Sequence, residues 1–157
     1  MEIEEMKENP ELVLKPAILY AFLQVLPLLL LAVLLLTIAW WLLQALIWLS
    51  LAAITVAAYR FIFIRSILYL ITPEVIRTRT GIFYKRLDNL EMFRIKDYTI
   101  TQPFILQVFH LMNLTLKTTD PENKSITLTG IPVSDIIDTI RGHVQDARQH
   151  NRIFEVN

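Results

Sequence analysis

Cysteine is absent from the 157-residue sequence, and residues 16–59, 44 positions in a row, hold no charged side chain. The first absence removes disulfides and thiolate metal sites and suits a reducing compartment. The second excludes a solvated surface segment, because an uncharged apolar run of this kind is the content expected of a membrane-spanning element. As one helix those 44 residues would extend roughly 65 Å, about twice the ~30 Å hydrocarbon core. Two helices folded back on each other fit, so the run predicts a transmembrane hairpin over residues 16–65.

Other absences narrow the function. His110, His143 and His150 form no i, i+4 pair with a carboxylate partner, so no metal site is expected. No nucleophile–base pair or phosphate-binding loop stands out, which predicts no catalytic residues, no cofactor and no enzymatic activity. The apolar run lacks the ionisable groups that ion or proton transport requires, and Gln24 and Gln44 are expected to bond across helices or reach the interface. A cleaved signal peptide is not expected either: the run exceeds a signal's apolar region, and the leader before it is acidic.

Acids and bases balance at 15 each but are distributed unevenly. Residues 1–15 form an acidic arm with Glu2, Glu4, Glu5, Glu8 and Glu11 against Lys7 and Lys15. Residues 60–96 carry eight bases against Glu74, Asp88 and Glu91. Within that block, Arg60, Arg65, Arg77, Arg79, Lys85 and Arg86 are the candidate contact residues. Three readings stand: topology signals with a solvated strand face, a site for anionic lipid headgroups, or a contact for a partner's acidic surface. The acidic arm either docks on the block or is solvated. The loop between the helices has no basic residue, so the positive-inside rule puts both termini in the cytoplasm.

Inside the apolar run, Lys15-Pro16 marks entry to a first span over about residues 17–37, with Pro27 inside it. The turn is placed within Thr37–Gln44, where Trp40 and Trp41 suit a headgroup interface. The second span runs to about Ile64, with Ala52, Ala53, Ala57 and Ala58 as a small-residue packing face.

From Ile67 the pattern becomes extended. Strands are expected over 67–71, 75–80, 82–87, 90–95, 97–101, 113–118 and 125–128, with Gly81 turning the first hairpin. Pro103–Leu111 reads as a short helix. Ser134 is the expected N-cap of a last helix whose apolar stripe is Ile136, Ile137, Ile140, Val144 and Ala147.

The stretch Tyr69–Thr72, the Gly81 hairpin with Lys85-Arg86 after it, Leu114–Thr118 and Ile126–Pro132 before the last helix resemble bacterial pleckstrin-homology-like (PH-like) domains found behind transmembrane helices. The resemblance covers about residues 66–148. It implies an α+β membrane protein: a two-helix transmembrane hairpin, then a PH-like antiparallel β half-barrel or sandwich over 66–150 capped by a C-terminal amphipathic helix, and a tail over 151–157. One departure is the junction Val108–Asn113, where members of the family often have glycine; Asn113 is the residue expected to take the left-handed conformation there. The resemblance further implies a bacterial inner-membrane setting. The expected function is a non-enzymatic anchored interaction module that self-assembles as a homo-oligomer and contacts membrane lipid or protein, without nucleic acid. An accessory subunit bound to another membrane protein, within a transporter or envelope-synthesis complex, is the alternative.

Overall fold

The computed structural model describes residues 12–41, 44–120 and 124–150; the acidic arm's glutamates, the loop 121–123 and the tail 151–157 lie outside the described residues. Two helices, α1 (Ile18–Trp41) and α2 (Leu46–Arg65), are long and apolar enough to cross a membrane. They pack through small residues. Ala21, Val25, Ala32 and Ala39 are the buried positions of α1, and Ser50 and Ala57 those of α2. Their spacing of four and seven follows the 3.5-residue repeat that keeps a seam on one side of two coiling helices. Close approach lets Ser50 Oγ donate to the Ala32 carbonyl at 2.9 Å. Of the four alanines expected to pack, only Ala57 is buried, while Ala52 and Ala58 are exposed. Ser50 and Ala57, seven residues apart, set the α2 side of the seam, because the helices pack along a seven-residue repeat that leaves Ala52, Ala53 and Ala58 off it.

The remainder is two antiparallel sheets. The first has the order β1-β2-β3-β4, with β1 Leu12–Leu14, β2 Leu68–Ile71, β3 Val75–Thr80 and β4 Arg86–Glu91. The second is β5-β6-β7, with β5 Ile95–Thr101, β6 Leu111–Thr118 and β7 Ser125–Pro132. A short helix α3 (Phe104–Val108) joins β5 to β6, and α4 (Ile136–His150) closes the domain. Both sheets turn alternate side chains into one core: Tyr69, Ile71, Ile76 and Leu90 from the first, Leu114, Leu116, Leu128 and Ile131 from the second. Ile136 and Ile140 of α4 join that cluster, as the helical spacing predicts. Each fully buried aliphatic side chain contributes about 1.5–3 kcal/mol.

The residues before α1 are more than an arm. Leu12, Val13 and Leu14 pair with Ile71, Leu70 and Tyr69, so the domain begins ahead of the helices and a boundary at 66 leaves out its first strand. The strand expected over 82–87 instead begins at Arg86. Gly81 sits at φ +104°, where an added Cβ would collide with the Tyr84 carbonyl, and this tight loop holds residues 81–85 out of the ladder. The run 90–95 breaks into a 3₁₀ turn at Met92–Arg94, since the Met92 N–H turns back to the Glu74 carbonyl (2.8 Å). The left-handed residue of the α3–β6 junction is His110 (φ 52°), not Asn113. Asn113 is otherwise engaged, its Oδ1 accepting from the Gly130 N–H at 2.8 Å. The first bonds of α4 are accepted by the Asp135 carbonyl, which makes Asp135 the N-cap position in place of Ser134.

Tyr69 ties the two sheets together. Its ring is buried among core residues of both, and its Oη accepts from the Thr129 N–H at 3.1 Å. Tyr69→Phe should cost about 1–3 kcal/mol, because it strands a partly buried N–H. Hydrogen exchange checks this: the Thr129 amide should lose protection first. Unchanged protection at Thr129 would refute the assignment.

Candidate functional site

The helices and the domain meet at a built junction. Pro16 is fully buried, and its carbonyl accepts from Arg65 Nη1 at 2.8 Å, so the start of α1 and the end of α2 are clamped together. The Ala17 N–H donates to the Gly130 carbonyl at 2.9 Å. Gly130 adopts φ +62°, and an added Cβ there would run into the Tyr20 ring. Gly130 is thus held by Asn113 on one side and by the first turn of α1 on the other. Beside it is a cavity of about 270 Å³ between Tyr20, Leu23 and Gln24 of α1 and Pro103, Ile105 and Leu106 of the α3 segment.

Register shows that one end of the domain faces this junction. Leu14 lies opposite Tyr69, Leu68 opposite Arg79, and Thr80 opposite Arg86. The exit of β1, the entry of β2 and the β3–β4 loop therefore share an end of the first sheet. In the second sheet Thr101 pairs with Asn113 and Leu111 with Pro132, which places α3 and Val133 at the end adjoining Tyr20 and Ala17.

Large apolar side chains are exposed at that end. The β3–β4 hairpin bears Phe83 (91 % exposed), Tyr84 (84 %) and Leu87. Around α3 lie Ile100, Phe104 (78 %), Ile105, Val108, Phe109 and Val133. Among the described residues after 66, these nine are all the large apolar side chains that are exposed. The far end is polar: Glu74, Arg94, Asp120 and Lys124 sit in its turns. A cavity of about 530 Å³ opens there between Glu74, Glu91, Phe93 and Asp146.

The structure divides the basic candidates instead of gathering them. Arg77 and Arg79 share the outer face of the first sheet, opposite Asn89 and Leu87. Arg86 belongs to the other face with Thr80, and its Nε donates to Asp88 at 2.8 Å. That hydrogen bond and the carboxylate's charge hold the exposed Arg86 guanidinium above its usual pKa. Lys85 is exposed in the loop before it. Arg65 is committed to Pro16, and Arg60 is exposed on α2 about 7.5 Å back toward the middle of the helix. Glu91 is bonded to Arg94, and Lys117 lies 3.6 Å from Asp97. Among the described residues no group of three or more His, Asp or Glu is arranged to hold a metal ion.

The model of the family described as "Bacterial PH domain" matches residues 14–148. The chain belongs to the bacterial PH domain family. The match takes in α1 and α2 as well as the sheets and ends within α4, so it is wider than the resemblance read from residues 66–148. A search of curated proteins and a search of solved structures found no match. In this bacterial PH domain the exposed apolar end is what sequence reading missed. Ile82-Phe83-Tyr84 reads in the sequence as part of a strand and Phe104–Phe109 as a helix; the structure buries Leu106 of that helix and leaves Phe83, Tyr84, Phe104, Ile105, Val108 and Phe109 exposed.

Proposed function

We propose that this bacterial PH domain protein is a non-enzymatic interaction module anchored in the inner membrane by α1 and α2, with the domain and both termini on the cytoplasmic side. The observation that carries this reading is the state of the two helices. Only 17 % and 11 % of their most apolar windows are buried, whereas a soluble core helix of such hydropathy would be mostly covered. Their bare flanks need lipid. At about 1.5 Å per residue, the 24 residues of α1 and 20 of α2 match a hydrocarbon core of ~30 Å. Trp40 and Trp41, both exposed in the last turn of α1, supply the interfacial aromatics at the far side. The polar groups at the junction are engaged in holding the fold, as Asn113, Arg65 and Gln102 show through their bonds to backbone. This supports a binding role over a catalytic one.

Self-assembly is part of the proposal. The sheets end in edge strands β1, β4, β5 and β7, which invite pairing between subunits, and confinement to a membrane raises effective concentration. Arg77 and Arg79 on the outer sheet face are the residues we assign to anionic lipid or an acidic partner surface.

Topology is testable because the chain has no native cysteine. Single variants Gln44→Cys and Lys124→Cys, probed with a membrane-impermeant maleimide, should react from opposite sides of sealed vesicles. Reaction of both from one side, or release of the chain by alkaline carbonate, overturns the anchored reading. Light scattering of the detergent-purified chain should report a mass above one protomer; a monomer across a wide concentration range removes the self-assembly part alone.

A further inference from the structure

We propose that the end of the domain formed by the β3–β4 hairpin and α3 is a third membrane contact, seated in the headgroup and upper acyl region of the leaflet that α1 and α2 enter. The inference rests on the anchored reading and adds to it a surface of a different kind from the basic residues. Three observations converge.

The first is confinement. Of the ten large apolar side chains exposed on the described part of the domain, β1 included, nine lie in the β3–β4 hairpin or in the α3 region, and the tenth is Val13 on β1. Scattered exposed apolar residues are ordinary on a soluble surface, whereas one end holding nine of ten marks a contact.

The second is direction. The two helices leave from this same end, by way of Leu14–Pro16 and Arg65–Leu68. The Ala17–Gly130 bond and the Tyr20 ring over Gly130 fix it against α1. A surface held beside the point where two spans enter the bilayer faces lipid, not the lateral direction from which another membrane-bound copy would approach.

The third is chemistry. Phe83 and Tyr84 stand on a tight loop that Gly81 closes, followed at once by Lys85 and Arg86. Aromatic rings next to cationic side chains match the boundary between acyl chains and anionic headgroups. Phe104, Ile105 and Val108 present the same apolar character from α3, which walls a cavity against Tyr20, Leu23 and Gln24 of the first span.

The domain would therefore not swing on its anchor. It would lie on the leaflet with the outer sheet face, including Arg77 and Arg79, turned to the side, which leaves those arginines to the acidic-partner half of their assignment, and with the Glu74–Glu91–Asp146 cavity facing the cytoplasm.

The test uses the full chain in liposomes of phosphatidylglycerol and phosphatidylethanolamine. The variants Phe83→Cys, Phe104→Cys, Leu30→Cys and Glu74→Cys are each labelled with bimane and quenched by lipids carrying a nitroxide at the headgroup or along the acyl chain. Leu30, exposed within α1, reports the spans, and Glu74, exposed at the far end, reports water. Shallow-nitroxide quenching several-fold stronger at 83 and 104 than at 74, with deep quenching at 30, supports the proposal. Deep quenching at 30 with 83 and 104 matching 74 overturns this contact and leaves the anchor standing. Labels at 83 and 104 shielded from water yet unquenched by lipid would mean that a second copy covers this end, and would also overturn it. No quenching at 30 would refute the anchored reading itself.

Discussion

Gly130→Val should uncouple the domain from the helices and cost about 2–5 kcal/mol, the sum of a left-handed backbone penalty of ~1–2 and an overpacking penalty of ~1–3. Gly130 combines both demands: it sits at φ +62°, and any Cβ there enters the Tyr20 ring. A β-branched residue is the worst choice for that backbone region, and the chain cannot give way freely. The Gly130 N–H is bonded to Asn113 and its carbonyl to Ala17, so relief in either direction breaks a bond. Against a total stability of about 5–15 kcal/mol for a domain, such a loss would leave little in reserve. Hydrogen exchange of the detergent-solubilised chain is the measurement, with β6 and β7 amides expected to lose protection together. The double variant Gly130→Val with Tyr20→Ala separates the causes. It should recover only the part of the steric share that the ring contributes, because the Cβ at position 20 would still lie 2.6 Å from the added one, and keep the backbone share. Protection in Gly130→Val equal to that of the unaltered chain would disprove the hub role assigned to this glycine.

The parts of the fold that follow a single period were legible in the sequence. The missing charges announced α1 and α2, and the apolar stripe of Ile136, Ile137, Ile140, Val144 and Ala147 announced α4 with the face it buries. The hairpin around Gly81 was legible from its turn residue. What escaped needed partners remote in sequence. Leu12–Leu14 is three residues long, too short for any period, and its mate β2 lies beyond both helices. His110 took the left-handed position because β6 begins at Leu111, which leaves Asn113 inside the strand opposite Thr101. The candidate site divides along the same line. The charges of the basic block were plain, but which sheet face each one occupies depends on register. Arg86 and Arg79 fall on opposite faces although both belonged to one apparent cluster. A strand over 82–87 and a short helix over Pro103–Leu111 were legible as segments, but not that Phe83, Tyr84, Phe104, Ile105 and Val108 would be exposed together at one end while Leu106 is buried.

The same pairing has a consequence for how the domain is built. Leu14 leaves β1 opposite Tyr69, near the start of β2, so the two strands are arms of one β-hairpin whose connection is the whole helical pair. The helices occupy the place of a turn. A chain shortened to begin at Ile67 should therefore fail to fold cooperatively, because Leu12 and Leu14 are withdrawn from the core and β2 becomes a bare edge. Burial of two half-covered leucines and the pairing of three residues amount to several kcal/mol at about 1.5–3 kcal/mol per fully buried side chain. Rejoining residues 10–15 to Leu68 through a two-residue Asn-Gly turn, which sets Lys15 opposite Leu68 and so continues the Leu14–Tyr69 register, should restore folding, since that turn matches the twist of an antiparallel pair. Thermal melting in mild detergent is the readout: a sigmoidal transition for the rejoined chain and none for the shortened one. The detergent covers the exposed apolar end in both, so the comparison isolates β1. If both melt alike, the strand contributes little and the domain is complete from Ile67 onward. If only the rejoined chain folds, the helices are inserted within the domain, and force on the helical pair is transmitted into the sheet through β1 and β2 together.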